Sequence, residues 1–150
     1  MRFVIQRVNH ASVTVNQKTI SSIEKGCLVL IGISQEDTTE IADKMINKML
    51  HLRIFADTDG KTNLSLLDVN GSLLLVSQFT LYANCRKGNR PSFTDAGKPD
   101  MAKDLYGYLI QKAKQACPSV QSGEFGADMK VLLENDGPFT VFLDSDDICP

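Results

Sequence analysis

The chain has 150 residues, 43% of them hydrophobic, enough to bury one core; this excludes a disordered or fibrous polymer and predicts a single domain over residues 1–150. A formal net charge of −2 excludes a protein that coats nucleic acid by bulk attraction, so any RNA contact must be local. Met1 to Val8 carries Arg2, Gln6 and Arg7 instead of the apolar centre of a secretory signal, and no run elsewhere is long enough to span a bilayer, so a cytoplasmic chain with no membrane partner is expected.

Phe3 to Val8, Ala11 to Val15 and Cys27 to Ile33 are rich in β-branched residues and predict strands, with turns at Asn9-His10 and Asn16-Gln17. Thr19 to Glu24 reads as a weaker strand ending at Lys25-Gly26. Leu28 to Ile33 shows no polar alternation and is expected to be buried on both faces. Thr38 or Thr39 caps a predicted helix through Leu52, because Ile41, Met45, Met49 and Leu52 recur at three- and four-residue spacing. Arg53 to Ala56 is a short strand before the turn Asp57-Thr58-Asp59-Gly60-Lys61, whose acids lack the loop length and closing Glu of a calcium site.

Ser72 to Tyr82 is an uninterrupted run read as a second buried strand. It leads into Asn84 to Pro99, where Arg86, Lys87, Arg90 and Lys98 face a single acid, Asp95. Asp100 is expected to cap a helix that runs to about Cys117, where Pro118 stops it. Asp128 to Glu134 and Phe139 to Leu143 predict two closing strands joined through Asn135-Asp136-Gly137-Pro138. Together these elements predict one mixed α/β domain, a curved or barrel-like mixed sheet under a helical layer.

The common hydrolytic sets are missing. His10 and His51 stand apart from any nucleophile, no phosphate-cradling Gly-rich loop is present, and Cys27, Cys85, Cys117 and Cys149 are too dispersed for a metal or redox motif, so reduced thiols and no metal or cofactor are expected. What remains is polar chemistry set in apolar strands. In Ser77-Gln78-Phe79-Thr80-Leu81, strand alternation sends Gln78 and Thr80 to one face, where an amide and a hydroxyl need partners from the backbone or a ligand. Asn135-Asp136-Gly137-Pro138-Phe139-Thr140 places a Gly-Pro pair in a turn able to aim carbonyls rigidly. The basic loop either grips phosphates or is simply solvated.

Those two segments resemble the signature motifs of D-aminoacyl-tRNA deacylases. The opening Met1-Arg2-Phe3-Val4-Ile5-Gln6-Arg7-Val8, the loop Lys87-Gly88-Asn89-Arg90-Pro91-Ser92-Phe93 and Gly123-Glu124-Phe125-Gly126-Ala127-Asp128-Met129 look like the same family. The resemblance implies a homodimeric hydrolase whose partners are aminoacylated tRNA and a second copy of itself, with no DNA expected. It implies a cis Gly137-Pro138 turn that enters the partner's site and rejects L-amino acids while passing D-amino acids and glycine, as on the alanine tRNA. Arg7 would hold that turn, Thr80 matches the family's proposed nucleophile beside Ser77, Gln78 and Phe79, and Arg86, Lys87, Arg90 and Lys98 would grip tRNA. A threonine hydroxyl is a weak nucleophile without a base, so attack by water, helped by the ribose 2′-OH, is the preferred expectation. A non-catalytic nucleic-acid binding module, an esterase for small acyl compounds and a structural domain whose polar turns are simply satisfied are the competing readings.

Overall fold

The computed structural model describes all 150 residues and makes Arg2–Val15 one fourteen-residue strand, β1. Asn9-His10 therefore does not turn the chain. Its turn preference is overridden by tertiary pairing, since His10 lies opposite Glu134 and the Asn9 amide donates to Glu134 at 2.9 Å, with the irregularity absorbed as a shift of register. The turn expected at Asn16-Gln17 is present, both residues holding positive φ (48° and 64°) as a tight hairpin requires. It leads to β2 (Lys18–Ile23) and then β3 (Gly26–Gly32). One edge of β1 is shared, Arg2 to Val8 pairing with β3 and Ala11 to Val15 with β2.

Helix α1 (Thr39–Leu50) is capped by Thr38, whose Oγ1 accepts from the Ile41 amide, and ends at His51, whose Nδ1 lies 2.8 Å from the Asn47 carbonyl. The strand expected from Arg53 shrinks to β4 (Phe55–Ala56), paired with an unforeseen β5 (Thr62–Leu64) around the Asp57 turn. β6 (Ser72–Ser77) runs parallel to β3, and a further unforeseen strand, β7 (Val120–Ser122), runs parallel to β6. Helix α2 (Pro99–Ala116) begins on Pro99, whose fixed φ suits a first helical position, with Lys98 at the cap. Asp100 is inside the first turn, where it favours the helix dipole without capping it.

The two closing strands are one sixteen-residue strand, β8 (Met129–Asp144), which follows β1 along its full length; Asp144 then caps the short α3 (Ser145–Ile148). The sheet order is β2-β1-β3-β6-β7 with β8 on the far edge of β1, and β2 curls towards β6 and β7 so that the sheet nearly closes. Alternate residues of the central strands then feed two cores. Cys27, Val29, Ile31, Leu73 and Leu75 pack with α1 and α2, whereas Leu28, Leu74, Val76, Val8 and Val13 fill the inside of the curl. This fulfils the expectation that β3 is buried on both faces. Gly26 permits the close approach of β3 to β6, since a Cβ there would lie 1.8 Å from the Ser72 carbonyl oxygen.

Candidate active site

The run from Ser72 does not stay extended to Tyr82. It leaves the sheet after Ser77, the Gln78 amide makes a last bond to the Ile31 carbonyl at 2.7 Å, and Phe79–Tyr82 close into a 3-10 turn. β3 allows this because it ends on Gly32, where a Cβ would stand 2.8 Å from Leu81 Cβ and 3.3 Å from Tyr82. Gln78 and Thr80 are thus not neighbours on a strand face. The turn brings them together another way, with the Gln78 Nε2 amide donating to Thr80 Oγ1. Thr80 is exposed and Gln78 half-buried, so the polar pair is presented at the surface and is not buried in apolar surroundings.

Beside the turn opens a cavity of about 740 Å³, within the range of small-ligand sites. Ser77, Gln78 and Phe79 form one wall, Phe93 and Lys98 another, and Phe125 a third. The Phe79 and Phe93 rings meet edge to face at 5.1 Å, which ties the basic loop to the turn. Phe125 is backed by Tyr106, whose hydroxyl donates to the Leu75 carbonyl at 2.8 Å; burial pushes the Tyr106 phenol up to about 12. A 3-10 turn leaves its leading N–H groups without an internal partner, and Gln78 caps none of them with its side chain. The amides at Phe79 and Thr80 are therefore available as donors.

The Gly137-Pro138 bond is cis, and Gly137 has a φ of +131°. Arg7 sits where the β1–β8 ladder slips between Gln6 and Val8, and its side chain fills the bulge. Its guanidinium donates to the Ile54 carbonyl at 2.5 Å and the Asp136 carbonyl at 3.2 Å, lies 3.3 Å from the Asp136 carboxylate, and stacks on Phe139 at 4.7 Å. Asn135 closes the base of the bulge, its Nδ2 donating to the Arg7 and Phe139 carbonyls at 3.0 Å each and its Oδ1 accepting from the Phe139 amide at 3.2 Å. No residue from Asn135 to Thr140 lines the cavity. Within one chain, the two polar segments remain separate.

The basic cluster divides likewise. Asn84 and Ser92 bond across the loop at 2.7 and 3.0 Å, placing Arg86, Lys87 and Arg90 on an exposed tip, whereas Lys98 stands in the cavity wall. His10 only approaches Glu134, at 3.8 Å. Sequence reasoning gave no role to Arg2, which bonds the turn directly at the Leu81 carbonyl; the signal available was a cation with an apolar neighbour on either side at the start of a strand.

A family model described as D-Tyr-tRNA(Tyr) deacylase matches residues 4–144. A D-aminoacyl-tRNA deacylase of Thermosipho melanesiensis is 56% identical over 146 residues, covering 97% of each chain. Among solved structures, one named c-Myc DNA Unwinding Element Binding Protein is similar with a TM-score of 0.91 and 43% identity, over 96% of this chain and 98% of that one. Another, described as a probable eukaryotic D-amino acid tRNA deacylase, reaches 0.85 at 20% identity over 95% and 97%, a likeness of fold.

Proposed function

The chain belongs to the D-Tyr-tRNA(Tyr) deacylase family of hydrolases, and from that membership we propose that it hydrolyses the ester of D-aminoacyl-tRNA, and of glycyl-tRNA(Ala), while sparing L-aminoacyl-tRNA. The observation that carries this reading is the Gln78–Thr80 pair on a 3-10 turn at the edge of an apolar cavity, with two backbone donors free beside it. The terminal adenosine fits a cavity of that size, and the ester carbonyl then lies against the turn.

Water adds to the ester carbon, and negative charge develops on the carbonyl oxygen. The N–H groups of Phe79 and Thr80 stabilise that charge, a contribution worth about 100- to 1000-fold in rate for one donor. The carbon–oxygen bond to the ribose then breaks, giving the free amino acid and the ribose hydroxyl. Thr80 Oγ1 already accepts a hydrogen bond from an amide that cannot act as a base, which supports a positioning role for the hydroxyl instead of attack by it. The ribose 2′-OH is the group left to help activate the water.

Selectivity belongs to the Gly137-Pro138 turn, which acts by rejection: an L-substituent meets its carbonyls and a D-substituent or a hydrogen does not. Because that turn is absent from its own chain's cavity, the reading requires a second copy to supply it. The free edge of β8 and its exposed Leu132 and Phe142 (60% and 55% accessible) support such a homodimer. Arg86, Lys87 and Arg90 on the loop tip, with Lys98 nearer the ester, hold the tRNA backbone locally on an otherwise acidic protein. No helix is long and apolar enough to cross a membrane, and cytoplasmic residence, where aminoacyl-tRNA is found, completes the proposal.

The test is release of labelled tyrosine from D-Tyr-tRNA and L-Tyr-tRNA, with and without EDTA. Rapid loss of the D-ester alone, unaffected by EDTA, is expected, with Thr80→Val slowing it and no acyl-Thr80 species trapped. Equal cleavage of both esters would remove the selectivity argument, and tRNA binding without turnover would favour a binding module.

A further inference from the structure

We propose that Arg2 is the positioning residue for the reacting turn, a strut from the sheet that sets where Phe79 and Thr80 stand. The inference rests on reading the Phe79–Tyr82 turn as the edge against which the ester reacts.

Arg2 lies on β1 between Asp144 of β8 and Gly32 of β3. Its Nε donates to Asp144 Oδ2 at 2.8 Å and its Nη1 to the Leu81 carbonyl at 2.9 Å, while the guanidinium stacks over Tyr82 at 4.5 Å. Gly32 is what opens the way, because the turn occupies the space a side chain would need there. One planar head group thus joins a fixed carboxylate to the C-terminal half of a four-residue turn whose first half carries Thr80. A lysine has no fork with which to hold both partners.

The partners are themselves fixed. Asp144 Oδ1 accepts from the Asp146 amide at 3.2 Å, so the carboxylate is anchored by α3 as well as by Arg2. Burial works against its ionisation, but those hydrogen bonds and the Arg2 charge outweigh it and hold its pKa below the usual carboxylate value. Arg2 is the side chain that bonds the backbone of the turn's C-terminal half, at the Leu81 carbonyl, whereas the fold itself has many other ties, among them the Tyr108–Asp43 bond between α1 and α2 at 2.8 Å.

The experiment compares wild type, Arg2→Met, Arg2→Lys and the distant control Asp43→Asn for kcat and KM on D-Tyr-tRNA, thermal midpoint, and amide exchange at Leu81, Tyr82 and Ala83. Displacing reacting groups by about an ångström costs roughly 100-fold in rate. The expected result is a kcat loss of that order in Arg2→Met, KM nearly unchanged, faster exchange confined to the turn, and only partial recovery in Arg2→Lys. Unchanged kcat, or a loss matched by Asp43→Asn at equal thermal midpoint, overturns the proposal. Should Arg2→Met fail to fold, Arg2→Lys carries the same comparison. A wild type that releases no D-tyrosine sinks the proposed function alone; the exchange arm still stands, and unaltered protection of the turn in Arg2→Met overturns the strut.

Discussion

Arg7 is bound on every side it presents: to Ile54, to Asp136 twice, and to the face of Phe139. Removing the guanidinium in Arg7→Met leaves carbonyls partly buried and unpaired, a cost of about 1–3 kcal/mol. Its effect on selectivity is more telling. With the turn loosened, the ratio of D-Tyr-tRNA to L-Tyr-tRNA cleavage should drop at least tenfold, a factor equivalent to about 1.4 kcal/mol, mainly because the L-ester is no longer excluded. Gly137→Ala should behave alike, since its φ of +131° suits glycine and a Cβ would come within 2.9 Å of Arg7 Nη2. An unchanged ratio in both would separate Arg7 and the turn from selectivity. At this scale the sequence was informative about identity and poor about setting. Gln78 and Thr80 stood out as polar residues in an apolar run, yet their partnership comes from a turn, not from strand alternation; Arg2 stood out only as a cation between two apolar residues, and its partners at positions 81 and 144 lie beyond any local pattern.

Among the elements, Tyr106 of α2 shows how a helix is tied to the strand it covers, through its hydroxyl and the Leu75 carbonyl. Its phenol titrates near 12 in the folded protein against about 10 when unfolded. Since the folded form keeps its proton to higher pH, this contribution is complete below about pH 10 and is lost as pH rises towards 12, up to about 2–3 kcal/mol. Urea titrations across pH 9 to 11.5 should show wild-type stability falling and Tyr106→Phe, about 1 kcal/mol weaker at neutral pH, falling less steeply. Parallel pH curves would contradict the assignment. Helices α1 and α2 were legible because each has an apolar face of regular period, though the cap of α2 was misplaced by the Pro99 start; α3, four residues with no such face, was not foreseen. The strands were less so. Asn9-His10 and Asn135-Asp136-Gly137-Pro138 carry real turn preferences, but a ladder along the whole of β1 and β8 converts them into bulges. β7 is three residues long and exists only because β6 offers it an edge.

For the molecule as a whole, the mixed α/β architecture follows from composition and the order of elements, whereas closure of the sheet depends on pairings between distant segments that local patterns do not encode. The same holds for the proposed dimer. Leu132 appears in sequence as one more strand residue; only the fold puts it outside, near a free edge. Leu132→Lys should give a folded monomer by sedimentation, with D-Tyr-tRNA selectivity lost because no second Gly137-Pro138 turn reaches the cavity. A variant that remains folded, sediments as a strict monomer and still discriminates between the two esters would mean that each chain supplies its own selectivity.

The shared edge of β1 also bears on how the molecule is made. Synthesis delivers β1 early, and β3 and β2 can zip onto one side of it soon afterwards, but its other side waits for β8, with Arg2 and Asp144 separated by 142 positions. Loop closure of that span makes the last ladder slow to form. Until it forms, a strand carrying Phe3, Ile5, Val8, Ala11 and Val13 shows an open edge to its surroundings. Nascent chains halted before β8 should therefore be held in solution by chaperones and aggregate without them, whereas release of the completed strand should end that dependence in a single cooperative step.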